Sequence, residues 1–241
     1  MPLPLKPLCV AGFVAAQFCS SSQAAVLDFE GFGVGRIIDN EYTGVSISGD
    51  NRGVGPDAAI TFDTANPTGG DYDLGGPFSS PQNAALSGSF DPGNVLIIQK
   101  RDTCNFGTGY CRNPDDQGRG GVFNIEFDSA VRLESIDFFD IEFDEDNANP
   151  DSEIHLFDAS GTEIHAGMFF VPFTGGDNTW NQLAIGVAGV KRMQIELAGS
   201  GAIDNIVYAS DAPLETPVPA AGLLFLSGLM GLGVLARAKR T

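Results

Sequence analysis

An all-β fold, a two-sheet β-sandwich of jelly-roll-like build, is what this sequence predicts for residues 25–211. Three observations carry that expectation. Short runs rich in Val, Ile and Phe recur along the region, with no helical periodicity between them. Gly, Asn, Asp and Pro punctuate the runs at turn-like spacing. Apolar segments lie outside the region at both ends, so the sandwich is expected between an N-terminal signal helix and a C-terminal transmembrane helix.

The N-terminal segment, residues 1–24, has one early positive charge at Lys6 and an apolar stretch over 8–18. Small polar residues follow, ending Ser22-Gln23-Ala24. This is the layout of a secretory signal peptide, with cleavage after Ala24, and the apolar stretch is too short to span a bilayer. Gln17-Phe18 before Cys19 does not suit a lipoprotein signal. What remains is large enough for one domain with a core of its own. All 31 acidic residues lie between Asp28 and Glu215 but only nine of the 13 basic ones, a net charge of −22. Such a surface repels nucleic acid and anionic lipid, so no nucleic-acid partner is expected. It suits a solvated extracellular protein or one that uses divalent cations.

The first predicted strands are 26–30, 44–48 and 59–63. Residues 64–89 follow, rich in Gly, Pro, Asp and Asn and too long for an ordinary connection, so they are either functional or mobile. After a strand at 95–100, Cys104 and Cys111 bracket a glycine-containing loop; in an exported chain they are expected to form a disulfide, with free thiols as the alternative. Strands at 121–127 and 131–143 come next. In the second, the alternation slips from Val131 and Leu133 through Ile136 and Phe138 to Phe139, Ile141 and Phe143, which predicts a β-bulge near Asp137. Runs at 153–158 and 163–171 form a hairpin about Asp158-Ala159-Ser160-Gly161, with Gly161 at positive φ. The last runs are 179–185, 191–198 and 202–208.

Several clusters invite a chemical reading. Residues 140–151 hold Glu142, Asp144, Glu145, Asp146 and Asp151, a solvated turn or a calcium site without EF-hand spacing. His155 and His165 oppose each other if the hairpin loop has three residues centred on Ser160, and separate if it has four. No third metal ligand is evident. Trp180, Tyr42, Tyr72, Tyr110 and Phe173 are candidates for a sugar-stacking platform, with a core role as the alternative for Trp180. No nucleophile elbow, zinc-protease helix or phosphate loop is present, and the abundance of acids removes the specificity of any carboxylate pair.

The two ends of the domain, Asp28-Phe29-Glu30-Gly31-Phe32 and Gly201-Ala202-Ile203-Asp204-Asn205-Ile206, resemble those of jelly-roll domains of the carbohydrate-binding-module type. There, an early acidic residue and an Asp on the last strand share a structural calcium. The resemblance implies Ca²⁺ ligands at Glu30 and Asp204, with Asp28, and Asp50 or Asp57, completing the site. The alternative leaves these acids on solvent-facing positions of edge strands.

The C-terminal segment, residues 212–241, has three parts: Pro217-Val218-Pro219, an uncharged run over 220–236, and a basic end at Arg237, Lys239 and Arg240. The run of 17 residues would span roughly 25 Å as a helix, enough for a slightly thinned bilayer core. The basic end predicts a cytoplasmic C-terminus. This order of parts resembles the PEP-CTERM sorting signal of exosortase substrates, in a variant form with Val218 where the namesake motif has Glu. The resemblance implies export, temporary anchoring by the C-terminal helix, recognition by an exosortase-type membrane enzyme, and release to the cell surface or exopolysaccharide matrix. The expected function is that of a non-catalytic surface or matrix protein, with a calcium-stabilised glycan-binding module as its exported domain. An extracellular glycan hydrolase and an adhesin that binds other proteins are the alternatives.

Overall fold

A computed structural model describes residues 24–143 and 152–211, the side chains of 165–168 excepted. The signal segment, the sorting tail with Pro217, Val218 and Pro219, and acidic residues 144–151 lie outside the described residues. Among the described residues no helix is long and apolar enough to cross a membrane.

The described chain is all-β apart from one 3-10 turn at Ala84–Leu86. Its strands are β1 (Ala24–Leu27), β2 (Val45–Asn51), β3 (Ala59–Asp63), β4 (Asn94–Ile98), β5 (Cys104–Asn105), β6 (Tyr110–Cys111), β7 (Gly121–Phe139), β8 (Glu153–Phe157), β9 (Glu163–Phe170), β10 (Trp180–Leu197) and β11 (Ala202–Ser210). Nine of them form one antiparallel sheet in the order β3-β4-β11-β7-β10-β8-β9, with β1 on β11 and β2 on β7. The other two, β5 and β6, make a separate small ladder. The expected two-sheet sandwich therefore appears as a sandwich-like arrangement of one continuous large sheet.

Two long strands join its halves. The first half of β7 pairs with β2, from Val45↔Phe127 to Asn51↔Gly121, and its second half pairs with β11, from Ser210↔Val131 to Ala202↔Phe139. β10 follows β7 along both halves. The sequence divides each long strand into two runs because bulge residues resemble turn residues. Register breaks in β10 fall at Gly186 (φ 69), at Gly189 (φ 80) and between Val190 and Arg192, the last opposite residues 127–130 of β7, and β11 breaks at Asn205 (φ 46). An extra residue on one strand bends the ladder without ending it. The slip predicted near Asp137 lies a little earlier. Asp137 pairs regularly with Gln182 and Asp204, whereas the partners are out of step on either side of Glu134 and Ile136.

Bending the sheet brings its inner faces together. Ile47, Phe123, Ile125 and Ile195 meet Leu133, Phe138, Ile203 and Ile206 in one core. Each large side chain removed from water there contributes about 1.5–3 kcal/mol. β3 and β4 are buried on both faces: Ala59, Leu96 and Ile98 point to this core, while Ile60, Phe62, Val95 and Ile97 point to a second one. Leu74 and Phe78, from the long segment 64–89, fill that second core alongside Phe139 and Trp180. That segment is therefore a cover that gives the outer face of β3 and β4 something to bury against.

The β8–β9 hairpin closes as expected. Asp158 N–H donates to Thr162 O (2.9 Å), and Gly161 takes φ 78. Its register is that of a loop centred on Ser160, with Phe157↔Glu163 and Leu156↔Ile164, but it breaks before Ile154↔Phe169.

Candidate functional site

At the junction of the domain's two ends, Phe29 is fully buried with a left-handed backbone (φ 52). Its N–H donates to the Tyr42 hydroxyl (2.7 Å), and the two rings meet edge to face. That anchor fixes Asp28 and Glu30 on either side. Asp28 Oδ1 accepts from Glu30 N–H (3.3 Å), and Glu30 Oε1 accepts from Asn94 N–H (2.6 Å). Asn94 Nδ2 in turn donates to Phe29 O and Phe32 O (3.3 and 3.1 Å), tying the turn to the start of β4.

Asp204 sits on β11, cross-strand from Asp137, and is 1 % exposed. Asn205 Nδ2 bridges Asp204 Oδ2 (3.0 Å) and Asp137 Oδ2 (3.1 Å), while Gln182 Nε2 donates to Asp137 Oδ1 (2.8 Å). Asp204 Oδ1 has no hydrogen-bond partner. Burial pushes the Asp204 carboxyl up to about 9, and the charges of Asp137, Glu30 and Asp28 push in the same direction. Burial likewise raises Asp137. The residues singled out from the sequence thus share one negative neighbourhood, with Asp204 buried in a strand within the sheet. Asp50 and Asp57 are engaged elsewhere: Asp50 Oδ2 accepts from Asn124 Nδ2 (2.9 Å), and Asp57 Oδ1 from Asn51 N–H (2.9 Å).

A second group was not expected. Asp71, Asp115 and Asp116 are all buried, and one carboxylate oxygen from each lies within 4.8 Å of the others, an arrangement able to hold a metal ion. The cover segment brings Asp71 in. Gly69 (φ 72) comes so close to the strand-like stretch opposite that a Cβ would stand 2.5 Å from that of Asp115. Thr68 Oγ1 donates to Pro114 O (2.8 Å) beside it. Asp71 Oδ2 accepts from Asp116 N–H (2.6 Å), and Asp116 Oδ2 from Gly201 N–H (2.7 Å). Asp115 pairs with Lys100 Nζ (3.0 Å) and with the Arg101 guanidinium. Burial moves Asp71 up to about 6 and Asp116 well above the usual carboxylate range, each reinforced by neighbouring carboxylates. No local motif announces this triad, because Asp71 and Asp115 are far apart in sequence. The Gly-Gly pair before Asp71 is the one local trace of the close approach.

Cys104 and Cys111 form the expected disulfide across β5 and β6. The ladder is held against the domain by Ile37 N–H to Gly109 O (2.9 Å) and Cys111 N–H to Gly35 O (2.8 Å). A groove of about 700 Å³ opens along it, lined by Asp102, Asn105, Phe106, Thr108, Tyr110 and Arg112 among others. Phe106 is 64 % exposed and Tyr110 42 %, with the Arg36 guanidinium 5.3 Å from the Tyr110 ring centre.

Of the other aromatic candidates, Trp180 is a core residue, with its ring 4.5 Å from Phe90 and 6.3 Å from Phe139. Tyr42 is the half-buried anchor of Phe29, and Phe173 packs edge-on against Phe143. Tyr72 is exposed, next to Asp71. His155 Nδ1 lies 2.6 Å from Glu163 Oε1, and its Nε2 lies 3.5 Å from Glu153 and 3.8 Å from Glu196. The side chain of His165 is outside the described set. A comparison with protein-family models and with curated proteins finds no match for this chain.

Proposed function

We propose that this chain is a non-catalytic exported protein of the cell surface or exopolysaccharide matrix, whose jelly-roll-like domain is stabilised by calcium and binds glycan. The observation that carries the reading is an excess of carboxylates over cationic partners in two places: buried Asp204 and Asp137 beside half-buried Asp28 and exposed Glu30, and the buried triad Asp71, Asp115 and Asp116. At the domain's ends, the charges of Asp137, Glu30 and Asp28 add to burial in raising Asp204, and Asp204 Oδ1 is unsatisfied. In the triad, Lys100 and Arg101 both pair with Asp115, while Asp71 and Asp116 accept from backbone N–H groups and hydrogen-bond to each other through their carboxyls. A hard divalent cation takes six to eight oxygen ligands and replaces the protons that such carboxyls otherwise hold. Glu30, Asp204 and Asp28 would supply one calcium site, and Asp71, Asp115 and Asp116 a second.

The disulfide agrees with an oxidising compartment outside the cytoplasm. The three-part tail supports passage through an exosortase-type enzyme, with the membrane as a temporary partner. The test is to incubate the full chain with exopolysaccharide, with calcium or EDTA, measuring bound protein and new reducing ends. Calcium-dependent binding without release of reducing ends is the expected result. Release abolished by replacing one acid would show a hydrolase instead. Neither binding nor release would turn the reading to an adhesin of protein partners.

A further inference from the structure

We infer that the groove along the β5–β6 ladder is the glycan-binding site, and that it takes an uncharged polysaccharide with a sugar ring stacked on Phe106 and Tyr110. This rests on the glycan reading above and gives it a place on the molecule. An exposed Phe at a hairpin tip contributes nothing to either core; Phe106 and Tyr110 together offer apolar ring surface beside polar groups. A pyranose ring has the matching character, with C–H faces above and below and hydroxyls around the rim. The polar groups are placed to meet that rim. Asn105 spends its Oδ1 on the N–H groups of Gly107 (3.0 Å) and Thr108 (3.2 Å), which leaves its amide NH₂ to donate outward. Asp102 supplies acceptors and Arg112 donors along the same groove.

Charge decides the class of sugar. Asp102 and Arg112 are the two charged residues among those lining the groove, and they cancel. The exported part around them carries a net −22, which disfavours a uronate-rich chain. The groove is also rigid before any ligand arrives. The disulfide closes its base, Arg36 Nη1 donates to Thr108 O and Gly109 O (both 3.4 Å), and Gln99 Nε2 donates to Thr103 Oγ1 (3.0 Å). Binding there avoids much of the cost of ordering a loop.

The test is affinity electrophoresis of the full chain in detergent, through gels containing a neutral glucan, a neutral galactomannan or alginate. The wild type should be retarded by a neutral polymer. Phe106→Ala should weaken that retardation at least tenfold with an unchanged melting temperature, and Phe106→Trp should retain it. Neutral-polymer binding that persists in Phe106→Ala and in the Phe106→Ala/Arg112→Ala double variant would overturn the groove while leaving the glycan reading in place. Retardation by alginate alone would overturn the uncharged occupant. No retardation by any polymer would overturn both the groove and glycan binding.

Discussion

Asp204 shows how a single residue can carry both a cost and a use. Its carboxyl is raised from an ordinary value of 3.8 to about 9 by burial, then by Asp137, Glu30 and Asp28. A carboxyl raised in the folded state stabilises the fold below its unfolded pKa, and that contribution is lost as the pH rises through the folded value. In EDTA, the wild type should therefore lose stability at Asp204 between about pH 4 and pH 9. Asp204→Asn removes the titration, so its melting temperature should gain on the wild type as the pH rises across that window. A gap that stays constant with pH would contradict the burial argument. With calcium present the order should reverse, because the amide is a poorer ligand than the carboxylate. Asp204 was legible in the sequence as an acid on the last strand; its burial was not, since that follows from β7 and β4 flanking β11. The exposure of Phe106 has no local signal, because an apolar residue between Asn105 and Gly107 in a short loop fits a buried position equally well.

At the scale of elements, the cover segment and the disulfide ladder do different work. Segment 64–89, whose composition predicts a functional or mobile stretch, buries Leu74 and Phe78 under β3 and β4 and also brings Asp71 to the carboxylate triad. Leu74→Ala should cost about 2–5 kcal/mol in a denaturation experiment, as for other core truncations. A loss under about 0.5 kcal/mol, the range of surface substitutions, would mean that the segment does not cover the second core. Opening the disulfide with Cys104→Ser and Cys111→Ser should cost about 2–3 kcal/mol by the entropy of a short closed loop, and should weaken polysaccharide binding as well. The short strands were legible from alternation; β3 was expected at 59–63 and spans Ala59–Asp63. The long strands were not: Gly186 and Gly189 in β10 carry the same local signal in a bulge as in a turn, and so do Asp128 and Ser129 in β7, where the ladder with β10 is out of step.

For the whole molecule, the balance of charge matters more than any one contact. A bent sheet around two apolar cores places carboxylates at its seams, and nine basic residues cannot serve 31 acidic ones. All-β character, the disulfide and the hairpin at Gly161 could be read from neighbouring residues. The Asp71–Asp115–Asp116 triad could not, because it exists only once the cover segment lies across the sheet. The most direct test is calorimetric titration of calcium into the EDTA-stripped, dialysed full chain near neutral pH, repeated in buffers of different ionisation enthalpy. Saturable binding with release of protons is predicted, since Asp71, Asp116 and Asp204 hold theirs more tightly than ordinary carboxyls. The proton release should fall in Asp204→Asn and in Asp116→Asn. Absence of saturable heat in any buffer would contradict the calcium-stabilised domain, and would leave these carboxyls protonated parts of the fold.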